Sequence, residues 1–246
     1  MTSYRVIILC AGVGERLSPL TYDIPKALLE LDGKPLLAHF LDGLVYSEAD
    51  IKSVHILVGH LQKNFKKIIG SEYRGLKIKY LINPLYKITG SAHSLYIAGS
   101  ILRKNATLIA DGDHYLHPDL FTKLMQSKYA NCTLVDPDLS TERQRIEQAF
   151  GYEGLLSRIQ YLPPYPDNPI GKAMVLFKLS KNASNSLFTF LEKHLLEDGP
   201  AIKETDIPLT NLMKIHDVHY HLTEELECIE IDFFEDYLRA KELTFS

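Results

Sequence analysis

The sequence predicts an α/β fold in which a largely parallel sheet is covered by helices on both faces. Three observations predict it. Short apolar runs alternate along the chain with segments of helical periodicity, which is the pattern of β-α-β units. A glycine-containing loop directly follows the first apolar run. Acidic residues stand just after later runs, at the carboxyl edge where open α/β sheets bind their ligands.

The predicted strands are short runs rich in β-branched and other apolar residues. In the first half of the chain they are Arg5–Leu9, Ser53–Val58, Lys77–Ile82, Thr107–Ala110 and Asn131–Val135. In the second half they are Ala173–Leu179, Val218–Leu222 and Glu227–Ile231. Because helical segments separate most of these runs, we expect a largely parallel sheet with both faces covered.

The predicted helices carry apolar residues at intervals of three and four. They are Pro35–Tyr46, Gln62–Ile69, Ser91–Leu102, Ser186–Leu196 and Phe234–Leu243. In the first of them, Leu37, Leu41 and Leu44 share one face. We expect such aliphatic side chains to lie in the core rather than against a ligand.

The stretch from residue 137 to 171 differs in character from the rest of the chain. Its RQRIEQAF segment predicts a helix, whereas the proline-rich YLPPYPDNPIG segment is unsuited to a central strand. We interpret 137–171 as an insertion or flap over the site. Since no linker divides the chain, residues 1–246 are expected to form a single domain with this flap.

Bulk composition excludes several classes of function. The 246 residues carry 27 basic and 31 acidic side chains, so an extended basic surface for nucleic acid is not expected. No apolar stretch approaches the roughly 18–20 residues that span a bilayer, and we expect a cytoplasmic protein without a membrane partner. Three widely spaced cysteines, each in an apolar run, predict buried free thiols rather than disulfides or a zinc site.

The loop after the first strand has the features of a triphosphate site. Gly12 and Gly14 lack a Cβ, so backbone amides there can approach a phosphate closely. Arg16 and Lys26 add a forked and a point-like cation that can neutralise a triphosphate and departing pyrophosphate. The loop lacks the Gly-Lys-Ser/Thr of a P-loop, and Leu17 replaces the third glycine of a dinucleotide fingerprint.

Residues 11–37, AGVGERLSPLTYDIPKALLELDGKPLL, resemble the signature AGxGxRLxPLTxxxPKxLLxLxGKPLL of the nucleotidylyltransferase family. The resemblance spans about residues 4–116 and 226–243. It implies a Rossmann-like three-layer α/β/α sandwich with a mixed, mostly parallel sheet, of the nucleotide-diphospho-sugar transferase type. The segments NPLYKITGSAHSLYIAG and CIEIDFFEDYLRAKEL look most like the branch of choline-phosphate and aminoalkylphosphonate cytidylyltransferases.

The metal site is predicted from two carboxylates at strand ends. Asp113 and Asp232 each follow an apolar run, and carboxylate oxygens are the ligands that Mg²⁺ prefers. The resemblance assigns both residues to Mg²⁺. For Asp111, Asp119 and Glu230, a capping, turn or supporting role is the simpler interpretation.

The resemblance also implies a CTP site and a reaction. Its residues are Leu9, Cys10, Ala11, Gly12, Val13, Gly14, Glu15, Asn83, Thr89, Gly90, Ser91, Ser94 and Asp111. For Ser91, a helix N-cap is an equally good interpretation. An acceptor oxygen attacks the α-phosphorus, with Arg16 and Lys26 as the catalytic cations and no protein nucleophile. A phosphate oxygen needs no general base, so His114 is interpreted as structural.

The acceptor stays open at this point. The chain has no tryptophan for a quaternary ammonium cage, although 14 tyrosines are available. Those nearest the expected pocket are Tyr86, Tyr115, Tyr152, Tyr161 and Tyr165. Lys172, Arg143 or Arg145 could instead bind an anionic end of the acceptor. The alternatives are a sugar-1-phosphate nucleotidylyltransferase and a non-catalytic nucleotide-binding module. The sequence also leaves open whether the protein is a monomer or a homodimer.

Overall fold

The computed structural model describes residues 2–140, 146–163, 168–199 and 205–243. The strands in this part of the chain are β1 Tyr4–Cys10, β2 Glu30–Leu31, β3 Lys34–Pro35, β4 Ile51–Val58, β5 Glu72–Tyr73, β6 Leu76–Ile82, β7 Ala106–Asp111, β8 His114–Leu116, β9 Cys132–Asp136, β10 Ile146–Tyr152, β11 Leu155–Leu162, β12 Gly171–Leu179, β13 His219–Leu222 and β14 Cys228–Glu230. The helices are α1 Leu36–Tyr46, α2 Gln62–Ile68, α3 Ser91–Ile97, α4 Gly99–Leu102, α5 Pro118–Met125, α6 Lys181–Asp198, α7 Asp206–Met213 and α8 Phe234–Glu242.

Ten of these strands form one mixed sheet in the order β10-β11-β13-β9-β12-β7-β1-β4-β6-β5. The neighbours β7, β1, β4 and β6 run parallel to one another. Strand β12 reverses the direction, since it pairs antiparallel with both β7 and β9. The predicted α/β class with a mixed sheet is confirmed, and its parallel block carries the glycine loop at the end of β1.

Helices cover both faces of the sheet. Alternate residues of β1 point to opposite faces and therefore join different cores. Val6 and Ile8 join a core that includes Leu41 of α1 and Phe121 of α5. Ile7 joins the opposite core, which includes residues of α3, α4, α6 and α7. A third cluster packs the glycine-loop region against α8 and the segment after β14; its members are Leu17, Leu29, Leu31, Leu36, Tyr115, Ile229, Ile231 and Ala240.

The predicted helix in RQRIEQAF is wrong for residues 146–150, which belong to β10; residues 143–145 lie outside the described residues. Strand β10 pairs antiparallel with β11 along its length and also with β12. Sheet pairing therefore outweighs the helix propensity of Glu147, Gln148 and Ala149. The flap role of 137–171 stays a prediction.

The predicted helix Ser91–Leu102 is divided into α3 and α4 at Ala98. All three cysteines are free, as predicted. Cys10 and Cys132 are buried, whereas Cys228 is only partly buried, so the predicted burial is wrong for Cys228. None of the helices in the described part of the chain combines the length and the apolar character needed to cross a bilayer.

Candidate active site

The two predicted cations and the two predicted metal carboxylates meet at one point. Lys26 Nζ lies 2.7 Å from Asp113 Oδ2 and 2.9 Å from Asp232 Oδ1. Arg16 Nη2 lies 2.7 Å from the same oxygen of Asp232. Residues separated by more than 200 positions in the chain thus form one continuous ion-pair network.

A small antiparallel pair of strands brings the carboxylates together. Asp113 precedes β8 and Asp232 follows β14, and these strands pair with His114 opposite Glu230. The Ile231 amide donates to the Asp113 carbonyl at 3.0 Å and continues this pairing toward both carboxylates. The two side chains consequently face the glycine loop from one side of the sheet edge.

Short helical turns position the cations. Lys26 begins a single 3-10 turn directly after Pro25, and its side chain is mostly buried. Arg16 lies in another such turn after Gly14, and its side chain is about half exposed. The Arg16 guanidinium also stands 5.1 Å from the centre of the Phe233 ring, a cation–π contact that orients it toward Asp232.

Lys26 remains charged in this environment. Burial disfavours its ammonium, but the carboxylates of Asp113 and Asp232 outweigh that cost and hold the pKa of Lys26 above its ordinary value. A charged lysine at this position can contact an anionic ligand as well as the two carboxylates.

Further acidic residues surround the network. Burial, reinforced by Asp113, raises the pKa of Asp111 well above its ordinary value. Burial and the charge of Glu230 raise the pKa of Glu147 to about 8. Burial would also raise the pKa of Glu230, but the Lys172 ammonium outweighs it and lowers that pKa. Burial thus favours the neutral forms of Asp111 and Glu147, and a bound cation would favour their ionisation.

Lys172 is a second buried cation, and it does not face solvent as a free anion-binding group. Its Nζ lies 2.7 Å from Glu230 Oε2, and its side chain is 8% exposed. Sequence reasoning missed this pair, which joins β12 to β14, and the contribution of Glu147, which depends on the placement of β10 beside β12. The sequence offers one signal for these residues, which is the presence of acidic and basic side chains within otherwise apolar strands.

The glycine loop presents amides rather than carbonyls. The carbonyls of Leu9, Ala11 and Gly14 accept backbone hydrogen bonds from Gly112, His60 and Leu17, respectively. Among the described residues, the amides from 12 to 16 have no backbone acceptor. Gly14 adopts a left-handed conformation with φ of 73°, which a residue with a Cβ rarely adopts. Consecutive unpaired amides of this kind form a concave anion-binding surface.

Gly112 is required by a close approach of β1 and β7. A Cβ added there would lie 2.2 Å from Cys10 Sγ and 3.2 Å from the Leu9 carbonyl oxygen. Glycine at this position therefore lets the chain after Asp111, at the end of β7, pack closely against the end of β1. Cys10 contributes packing, since its thiol is buried at this contact.

The segment 83–94 lies beside the glycine loop. Its side chains that were predicted to bind CTP form hydrogen bonds with one another. The Asn83 amide donates to Thr89 Oγ1 and Ser94 Oγ, each at 3.0 Å. Asn83 and Ser94 are buried. Gly90, rather than Ser91, occupies the N-cap position of α3. These residues shape the loop, and direct contact with a nucleotide stays a prediction for them.

Comparison with known proteins identifies the family of the chain. The family model for nucleotidyl transferases matches residues 5–152, which is more than half of the chain. The chain belongs to the nucleotidyl transferase family. The predicted membership is therefore confirmed, and residues 11–37, which carry the signature, lie within the matched region.

This transferase is similar to two relatives and to one solved structure. A choline-phosphate cytidylyltransferase from Streptococcus pneumoniae is 27% identical over 253 residues, covering 97% of each chain. A CMP-5'-(3-aminopropyl)phosphonate synthase from Streptomyces rubellomurinus is 32% identical over 127 residues, which cover 52% of this chain and 20% of the synthase. The structure of a CTP:phosphocholine cytidylyltransferase from Streptococcus pneumoniae superposes with a TM-score of 0.75 at 22% identity, covering 98% of this chain and 99% of that one.

A cavity of about 730 Å³ opens beside the ion-pair network of the transferase. Arg16, Lys172, Glu230 and Asp232 line it, and Phe233 is the one aromatic side chain among its described lining residues. Its volume is suited to a small organic ligand.

The candidate tyrosines for a choline cage that lie in the described residues do not gather at this cavity. Tyr115 is 2% exposed and packs edge-on against His39 in the core. Tyr152 is 76% exposed, and neither Tyr86 nor Tyr161 is among the described lining residues. Tyr165, Arg143 and Arg145 lie outside the described residues. Asp119 is also remote from the network and accepts a hydrogen bond from Tyr46 on the surface.

The carboxylates at the network fit a divalent cation. Asp113 and Asp232 converge within bonding distance of one ammonium, so their carboxylates lie close enough to share a cation. Carboxylate oxygens are the ligands that Mg²⁺ prefers.

Proposed function

We propose that this transferase is a Mg²⁺-dependent cytidylyltransferase that transfers CMP from CTP to a small phospho- or phosphono-alcohol and releases pyrophosphate. The observation that carries the proposal is the network of Arg16, Lys26, Asp113 and Asp232 beside a loop of unpaired amides. The cytidylyltransferase relative that aligns along 97% of both chains supports CTP as the nucleotide.

The reaction needs two anions to approach each other. An oxygen of the acceptor phosphate or phosphonate attacks the α-phosphorus of CTP, and the bond to the β-phosphate oxygen breaks as pyrophosphate leaves. No proton has to be removed from an acceptor oxygen that is already ionised. Catalysis therefore consists mainly of positioning and charge neutralisation, as in other phosphoryl transfers.

The residues of the chain have distinct tasks in this scheme. Loop amides 12–16 bind the β- and γ-phosphates, Arg16 holds the leaving pyrophosphate, and Lys26 stands at the α-phosphate. Asp113 and Asp232 would hold Mg²⁺. When bound, Mg²⁺ supplies charge neutralisation and orientation of the phosphate oxygens.

The cavity beside Asp232 is the proposed acceptor site. It adjoins Arg16 and Asp232, so a phosphate or phosphonate bound there reaches the network directly. Phe233, the one aromatic residue among the described residues that line it, offers little of the cage that a quaternary ammonium prefers, and its carboxylates suit an ammonium that donates hydrogen bonds. Both phosphocholine and 2-aminoethylphosphonate are therefore tested.

Pyrophosphate release tests the proposal. The protein is incubated with Mg²⁺ and each of CTP, UTP, ATP, GTP and dTTP. Each nucleotide is paired with phosphocholine, 2-aminoethylphosphonate, phosphoethanolamine, glycerol phosphate or a sugar-1-phosphate. We expect turnover with CTP and one of the small phospho- or phosphono-alcohols.

Two other results would assign a different function. Turnover with a sugar-1-phosphate alone would make the protein a sugar nucleotidyltransferase. Nucleotide binding without pyrophosphate release for any pair would favour a non-catalytic nucleotide-binding module.

A further inference from the structure

The two carboxylate oxygens of Asp113 have different surroundings. Oδ2 forms the 2.7 Å ion pair with Lys26. Oδ1 is buried, has no hydrogen-bond partner among the described residues, and lies 3.9 Å from His114 Nδ1. Oδ2 of Asp113 is therefore engaged in the ion-pair network, whereas Oδ1 can bind a different group.

His114 presents a second unsatisfied atom to that side. Its side chain is 2% exposed, and Nδ1 has no hydrogen-bond partner in the described parts of the chain. Buried polar atoms are almost always paired, because burying one without a partner is unfavourable. At 3.9 Å the imidazole and carboxylate are too far apart to satisfy each other.

Glu230 completes a set of three donors. One ligand atom each from Asp113, His114 and Glu230 lie within 4.8 Å of one another. Glu230 uses Oε2 for the pair with Lys172, and a carboxylate has a second oxygen that can bind a metal. Two ligands at about 2.1 Å from a common ion are separated by at most roughly 4.2 Å. The 3.9 Å between Asp113 and His114 meets this limit. The 4.8 Å bound on the set of three exceeds it, so the Glu230 side chain has to move closer when the ion binds.

We propose that Asp113 Oδ1, His114 Nδ1 and a Glu230 oxygen bind a divalent transition-metal ion such as Mn²⁺. This site shares Asp113 with the Mg²⁺ site of the proposed function and rests on that function in no other respect. An imidazole nitrogen among the ligands favours Mn²⁺, Co²⁺ or Zn²⁺ over Mg²⁺, which prefers oxygen alone. His114 is then a metal ligand rather than the structural histidine expected from the sequence.

Titration with Mn²⁺, followed by electron paramagnetic resonance, tests the proposal on the full chain. Pulsed measurement of the bound Mn²⁺ is expected to detect a directly coordinated imidazole nitrogen. His114→Asn is expected to abolish that nitrogen signal and weaken Mn²⁺ binding at least about tenfold.

His117→Asn is the matched control. His117 caps α5 three residues away, and asparagine is itself a good N-cap. Both the nitrogen signal and the affinity are expected to persist in this variant. They are also expected to persist in Asp232→Asn, which removes a ligand of the Mg²⁺ site and keeps all three donors.

Three results would overturn the proposal: no Mn²⁺ binding, Mn²⁺ bound without a nitrogen signal, or unchanged affinity in His114→Asn. If His114→Asn does not fold, the nitrogen signal of the wild-type protein decides alone. Pyrophosphate release in Mg²⁺ is measured separately. Normal release without a nitrogen signal would overturn this proposal, whereas a nitrogen signal without release would overturn the proposed function.

Discussion

Lys26 Nζ and Asp113 Oδ2 lie 2.7 Å apart where the glycine-loop region meets the end of β7. Asp232 approaches the same ammonium at 2.9 Å. A lysine thus stands between the two carboxylates proposed to bind Mg²⁺. Lys26 stabilises both carboxylates through ion pairs, and its position also allows it to contact an incoming triphosphate.

This double role predicts the effect of Lys26→Ala. Turnover is expected to fall at least about 100-fold, because a cation at the transferred phosphate is removed. The free energy of unfolding is expected to fall by about 1–3 kcal/mol, because two carboxylates lose their shared partner. Urea unfolding with and without Mg²⁺ measures the second effect, and added Mg²⁺ is expected to restore part of it.

Lys52→Ala is the control for this variant, because Lys52 forms an exposed ion pair with Asp50. It is expected to change neither quantity measurably. If the Lys26 variant lost turnover only in proportion to its unfolded fraction, Lys26 would be a structural residue.

Asp113→Asn is predicted to abolish Mg²⁺-dependent turnover while the protein stays folded. Asparagine keeps the side-chain volume but removes the charge that binds a hard cation. Pyrophosphate release and circular dichroism measure the two properties. Asp50→Asn serves as a control for the same chemical change at a remote position, where Asp50 pairs with Lys52. Normal turnover in Asp113→Asn would refute the metal assignment.

Glu147 predicts a pH-dependent stability. Its pKa is raised to about 8 in the folded protein, so between about 4.5 and 8 the folded state binds more protons than the unfolded state. Stability is therefore lost as the pH rises through this range. Glu147→Gln removes the ionisation and is expected to be more stable than the wild type at pH 9 by about 2–4 kcal/mol. Near pH 4 the two proteins should be alike.

Urea unfolding of both proteins at pH 4 and pH 9 measures this difference. Glu72→Gln is the control, since Glu72 is exposed on β5. Its stability relative to the wild type should not change with pH. A Glu147→Gln advantage that is equal at both pH values would show that packing, rather than ionisation, is responsible.

Gly112 predicts a coupled pair of substitutions. Gly112→Ala places a methyl group 2.2 Å from the position of Cys10 Sγ and is expected to cost about 1–3 kcal/mol. Cys10→Ala removes that sulfur, so the double variant is expected to lose less stability than the sum of the single losses. Thermal or urea unfolding of the four proteins measures the coupling. Additive losses would mean that other contacts, such as the Leu9 carbonyl, limit the site.

Local signals predicted much of the fold and part of the candidate site. Apolar runs located the central strands within one or two residues, as in Ala173–Leu179 against β12. The spacing of Arg16 and Lys26 and the strand-end positions of Asp113 and Asp232 selected residues that do meet in the structure. The apolar runs, the spacing of the cations and the strand-end carboxylates can be recognised in the sequence because each is a pattern among residues that are close together in the chain.

Features that depend on distant pairing could not be predicted. Strand β10 contains good helix formers and becomes a strand through its partners β11 and β12. The Lys172–Glu230 pair joins β12 to β14, which no local pattern connects. Asn83 and Ser94 are polar enough to meet a nucleotide, yet they bond to each other, because the loop between them requires partners for its own polar groups.

Phosphorus NMR of the complete reaction detects the linked product and pyrophosphate together. The protein is mixed with Mg²⁺, CTP and either phosphocholine or 2-aminoethylphosphonate, and every phosphorus-containing product is followed in time. For a cytidylyltransferase, a CDP-linked alcohol or its phosphonate counterpart is expected to appear at the same rate as pyrophosphate. CMP and pyrophosphate without a linked product, or unchanged CTP in both mixtures, would contradict it.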